Sequence, residues 1–158
     1  MRRFLSVLAL SSGLSGFAAN AGDITPRAGR AMHETGKTYA QLVKDVRAAV
    51  KQNGMEVVTQ AGPTKAAANR GVTIPGNRVI GVFNNDFAVR ILETSTAAMI
   101  EAPVRLYVTE EKDGTGTLSY KMPCHVFAPY LDEGGETLEQ LASDLDEKFA
   151  AIASVAIE

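Results

Sequence analysis

The sequence predicts an α+β two-layer domain: a mixed, mostly antiparallel sheet of about five strands, with helices packed on one face. Three observations carry that class. Residues 102–123, APVRLYVTEEKDGTGTLSYKMP, alternate Val104, Leu106 and Val108 with Arg105, Tyr107 and Thr109, then Leu118, Tyr120 and Met122 with Ser119 and Lys121. Asp113-Gly114 lies between the two runs, so they read as a hairpin with a bulged turn. Two further stretches, beginning at Thr38 and Thr137, carry apolar residues at helical spacing behind a Thr-x-x-Gln start. Short apolar runs alternate with helical patterns elsewhere, which gives the order β-α-β-(α)-β-α-β-β-α. Hairpin strands run antiparallel, while helices set between strands also permit parallel pairs.

The first residues stand apart from this domain. Met1-Arg2-Arg3 is basic, Phe4 to Ala18 is apolar with scattered Ser and Gly, and Ala19-Asn20-Ala21 is an A-x-A cleavage signal. Residues 1–21 are therefore expected to be a signal peptide, cut between Ala21 and Gly22. The apolar run is shorter than the ~20 residues a membrane span needs. No cysteine follows the cut to take a lipid. The expected destination is the bacterial periplasm or the exterior, with no membrane attachment after cleavage.

Losing Arg2 and Arg3 takes the formal charge from −2 to −4, with 14 basic against 18 acidic side chains. That balance argues against a nucleic-acid binder, which needs a basic face. Cys124 is the single cysteine, so no intramolecular disulfide forms and the core has to hold the fold. A chain of this length suffices for that.

Residues 22–30 (GDITPRAGR) read as a linker and 31–158 as one domain, opened by a strand near Ala31–Glu34. Thr38 caps a helix in which Tyr39, Leu42, Val43, Val46, Ala49 and Val50 form one stripe, and Gln41 is expected to reach back. Asn53-Gly54 ends it. A strand over Met55–Ala61 is broken by Gly62-Pro63, and Thr64–Arg70 forms a short helical turn. Pro75-Gly76-Asn77 signals a turn into Arg78–Phe83, apolar on both faces and so expected to be central and doubly covered. Asp86 is expected to cap the next helix, with the stripe Phe87, Ala88, Ile91, Leu92 and Ser95, running to about Met99. After the hairpin comes a loop over Pro123–Glu133. Thr137 and Gln140 then form a second capping box, and the last helix buries Leu138, Leu141, Ala142, Leu145, Phe149, Ile152 and Ala153.

The helix TYAQLVKDVRAAVKQNGMEVV, the run RVIGVFNND, the hairpin opened by Pro103 and the closing acidic helix together resemble the exported form of the domain of unknown function 302 family, over about residues 30–157. The resemblance rests on Gly54, Phe83-Asn84, Asp113-Gly114, and Tyr120 followed by Pro123. It implies a small α/β domain, often dimeric, with no established activity. Cys124-His125 stands where the family places a less reactive pair, so chemistry at that pair would be this chain's own.

Cys124, His125 and Met122, with Met99 nearby in kind, supply ligand types suited to copper or zinc. Adjacent residues point apart, however, and zinc sites draw three or four ligands at set spacings. A lone cysteine in an oxidising compartment also suits an intermolecular disulfide. Arg78, Arg90 and Arg105, with Tyr107 and Tyr120, are candidates to line a pocket for a small anion, and Asn84 opens a helix whose free amides attract one. The carboxylates Glu110-Glu111 and Asp144, Asp146, Glu147 lack a partner at glycosidase separation. There is no phosphate-binding loop, dinucleotide fingerprint or zinc-protease motif. The leading expectation is thus a non-enzymatic domain, homodimeric in keeping with the resemblance, that binds a small ligand or a protein partner without a cofactor. A metal or redox protein built on Cys124 and His125 is the alternative.

Overall fold

The computed structural model describes residues 24–158. The leader expected at residues 1–21 lies outside them. Five strands, β1 (Arg30–Thr38), β2 (Glu56–Ala61), β3 (Asn77–Phe83), β4 (Val104–Glu110) and β5 (Thr115–Lys121), form an open sheet in the order β1-β5-β4-β3-β2. Helices α1 (Tyr39–Gln52), α3 (Asn85–Thr94) and α5 (Leu131–Ile157) pack together on one face; α2 (Thr64–Ala68) and α4 (Pro123–Phe127) are short. The class is the predicted two-layer α+β.

All four ladders are antiparallel, so the mixed sheet resolves to a single sense. The reason lies in the connections. Strands β1 and β2, joined by the longest intervening helix, go to opposite edges. Beyond α3 the chain returns through a 3₁₀ turn, Ala97–Glu101, and enters β4 at the end where β3 stopped, pairing Val82 with Val104. Strand β4, not β3, is therefore the middle strand. The inner residues of β3, Ile80 and Val82, are buried, but Val79 on its other face is only half-buried and lies under no helix.

Helix α1 starts where Thr38 Oγ1 accepts from the Gln41 amide at 3.3 Å. Gln41 does not reach back: its Nε2 donates to Asp45 one turn on, at 2.7 Å. Leu42, Val46, Ala49 and Val50 are fully buried, and Gly54 ends the helix with φ 71°. Strand β1 begins before Ala31 and runs on past Glu34, because β5 offers it partners from Arg30 to Thr38 around one irregularity.

The cap of α3 is Asn84 rather than Asp86. Its Oδ1 accepts from the amides of Asp86 at 2.9 Å and Phe87 at 3.2 Å, while Nδ2 donates to Gly54 O at 3.0 Å. The short amide side chain one position outside the helix reaches these orphan donors better than the first-turn carboxylate can. Helix α3 stops at Thr94, well before Met99, because Ser95 turns extended and inward. Its hydroxyl donates to Glu133 at 2.6 Å. Leu92, expected in the stripe, faces solvent.

The expected loop over Pro123–Glu133 is largely helical: α4, a 3₁₀ turn over Ala128–Tyr130, then the start of α5. Proline suits the first turn of α4, where no amide is needed. Gly135, at φ 54° and ψ −154°, breaks α5 ahead of its regular part. Gln140 donates forward to Asp144 at 2.8 Å instead of back to Thr137. All seven residues of the predicted stripe of α5 are buried, and each Leu or Phe so placed contributes about 1.5–3 kcal/mol.

Candidate functional site

Helices cover only one face of the sheet, and the register lays out the other row by row. Arg30 on β1 pairs with Lys121 on β5, and Leu106 with Tyr120, which brings Arg105 beside Lys121. Gly81 comes next, opposite Arg105 on β3. Two residues along lies a second row: Met32, Ser119, Tyr107, Val79 and Ala61. A groove of about 500 Å³ opens over these rows. Gly62 and Pro63 bound it past the end of β2, and Glu101 and Val126 bound it on the side of the 3₁₀ turn and α4.

Two features of this groove are unusual for a solvated sheet face. First, Arg30, Lys121 and Arg105 stand side by side, and the one ion pair among the described residues, Lys37–Asp45 at 2.9 Å, is elsewhere. Like charges directly opposite one another across a ladder repel. Second, Ser119 is 1% exposed at the groove floor, yet its Oγ has no hydrogen-bond partner among the described residues. A buried hydroxyl without a partner costs about 1–3 kcal/mol. Glu101, the one acid on the lining, is engaged by the Tyr130 hydroxyl at 2.9 Å, and that bond pushes the Tyr130 pKa up.

Of the side chains expected to bind a ligand, Arg105 and Tyr107 line the groove. Tyr120 touches its rim, but the register sends its ring to the helix side, 5.5 Å from the Phe149 ring centre and 6.1 Å from that of His33. Burial, then the nearby Asp146 carboxylate, raises the Tyr120 pKa. Arg78 pairs with Val108, so it belongs to the helix-side alternation, and its buried Nε has no partner among the described residues. Arg90 lies on α3, 5.9 Å above the Phe87 ring. Asn84 is committed to its cap, and its oxygen occupies the very amides an anion would use.

The metal candidates also lie away from the groove. Cys124 is exposed in the first turn of α4, where its amide donates to Asp146 at 3.1 Å. A hydrogen bond to the same carboxylate pushes the Cys124 thiol pKa up, which disfavours the thiolate a soft metal needs. His125 packs its ring on Gly29, where any side chain would collide with it, and Met122 donates its amide to Gly29 O at 2.8 Å. No three His, Cys, Asp or Glu side chains converge on one point among the described residues.

Sequence reasoning overlooked Arg30, Lys121 and Ser119. The alternation Ser119, Lys121 was a usable signal, since it places both on one face with Tyr107 and Arg105. Arg30 had no such signal, because nothing local pairs the start of the chain with β5.

Comparison with known proteins bears on the fold. The family model described as Domain of unknown function DUF302 matches residues 32–155. A crystal structure of an uncharacterized conserved DUF302 protein from Bacillus stearothermophilus superposes with a TM-score of 0.72 at 19% identity, covering 84% of this chain and 100% of that one. No curated protein matches. Among the described residues, no helix is long and apolar enough to cross a membrane.

Proposed function

This chain belongs to the domain of unknown function 302 family, and on that premise we propose that it is a binding domain whose groove holds a small molecule without transforming it. The observation that carries this reading is the unpartnered Ser119 hydroxyl at the floor of a groove of about 500 Å³, a volume within the usual range for small-molecule sites. The groove offers side chains that hold and orient: Arg105, Tyr107, Ser119 and Asn77. Among the described residues no side chain hydrogen-bonds the Ser119 hydroxyl, so none is placed to take its proton. The histidine nearest in the register, His33, pairs with Leu118 and so belongs to the opposite face. The place of action in this proposal is the periplasm or the exterior, which rests on the leader-like residues 1–21.

A thermal-shift screen of the purified protein against small metabolites tests it, with an Ala61→Trp variant as control. Ala61 is exposed on the groove wall, so the indole fills the groove without disturbing the core. At a hundred times its dissociation constant a ligand stabilises by about 2.7 kcal/mol. Hits are expected to stabilise the native protein and leave the tryptophan variant unmoved. Hits that stabilise both equally overturn the proposal.

A further inference from the structure

The binding reading leaves the chemistry of the ligand open, and the arrangement of charge in the groove narrows it. Resting on that reading, we infer that the ligand is an amphipathic oxyanion: a phosphoryl or carboxylate head held by Arg30, Lys121 and Arg105, with a compact apolar body lying on Tyr107 and Val79.

The cationic row is built by register rather than by chance crowding of flexible side chains. Arg30 and Lys121 are direct cross-strand partners, and Arg105 follows on the next strand at the same level. Holding three cations in line costs repulsion in the free protein, and none of them belongs to the one ion pair among the described residues. An oxyanion lying across the row converts that repulsion into charge-assisted hydrogen bonds, and guanidinium groups can grip such a head with two parallel bonds. No carboxylate is ion-paired to the row among the described residues. Glu34 pairs with Thr117, two levels away from Arg30, and Glu101 is engaged by Tyr130.

The second row sets the chemistry of the ligand behind its head. Ser119 lies two residues from Lys121 on the same face, and Tyr107 and Val79 continue its level toward Ala61. Ser119 therefore lies at the groove floor just behind the head, its hydroxyl without a partner among the described residues. The Tyr107 ring and the Val79 and Ala61 side chains then offer an apolar bed. A purely inorganic anion leaves that bed unused, and a neutral apolar compound leaves the cations unanswered.

Titration calorimetry of the purified protein with phenyl phosphate, inorganic phosphate and benzyl alcohol tests the assignment. Phenyl phosphate is expected to bind at least about tenfold more tightly than either of the others, and more weakly as salt rises. An Arg105→Gln, Lys121→Gln double variant, both positions being exposed, is expected to fold normally and lose at least about tenfold in affinity. Binding that the Ala61→Trp variant abolishes but the double glutamine variant retains overturns the oxyanion assignment and leaves the groove standing. Binding that survives Ala61→Trp overturns the groove as well. If no probe binds at millimolar concentration, the oxyanion assignment falls. A native mass of twice the chain, reduced to one by Ala61→Trp, would then give this face to a second copy and overturn both readings.

Discussion

Arg30 and Lys121 face each other across the β1–β5 ladder, both on the side of the sheet that no helix covers. In the free protein this pairing is a cost, since like charges opposite one another destabilise a sheet and opposite charges stabilise it by about 0.2–1 kcal/mol. Lys121→Glu should therefore raise the melting temperature slightly while abolishing phenyl phosphate binding. A lowered melting temperature would mean that Lys121 has a stabilising role that its repulsion does not reveal.

Ser119→Ala should behave in the same sense for a different reason. The substitution removes a buried hydroxyl that lacks a partner, so stability should rise by about 1–3 kcal/mol in urea denaturation. Ligand affinity should fall. A loss of stability would show that the hydroxyl is satisfied in solution.

The hairpin passes very close to α1 at Gly116. A Cβ built there lies 2.8 Å from Leu42 Cδ2, 3.2 Å from Leu42 Cβ and 3.3 Å from Tyr39 Cα. Gly116→Ala should destabilise by about 1–3 kcal/mol through overpacking. Leu42→Ala alone should cost about 2–5 kcal/mol, and the double variant less than the sum, because each change relieves the other. Strict additivity would show that the two groups do not meet.

Lys37 ties three elements together. Its Nζ donates to Asp45 at 2.9 Å and to Ala156 O at 2.9 Å, joining β1, α1 and the end of α5. The Lys37 hydrogen bond leads the causes that hold the Asp45 pKa below its ordinary value. A depressed carboxylate pKa gives stability that is fully present above the unfolded-state value of about 3.9 and is lost as pH falls through the folded value. Lys37→Met should thus lower stability near neutrality and flatten its decline below about pH 4. Parallel acid curves for the two proteins would remove the pair from this account.

Cys124 offers a chemical readout. The Asp146 carboxylate, by hydrogen bond first and then by charge, favours the protonated thiol. Asp146→Asn should increase the thiolate fraction and speed alkylation by iodoacetamide at pH 8 several-fold. An unchanged rate would mean that Asp146 does not govern the thiol.

Much of the fold was legible because its signals are local. The stripe of α5 from Leu138 to Ala153 shows as periodicity, and Asp113-Gly114 marks its turn whatever surrounds it. What escaped was relational. The cap of α3 fell to Asn84 because of where the strand ends, and Pro123–Glu133 turned helical where it packs against α5. The groove escaped for the same reason. Its cationic row exists only once residue 30 is known to meet residue 121, a pairing no neighbouring residue announces.

That pairing also orders events in time. Strand β1 has β5 as its only neighbour in the sheet, so it stays without a partner until some 80 further residues have left the ribosome. Contacts so distant in sequence form late and slowly. The growing chain therefore cannot complete its sheet before β5 emerges, whatever pairing β2, β3 and β4 have reached by then.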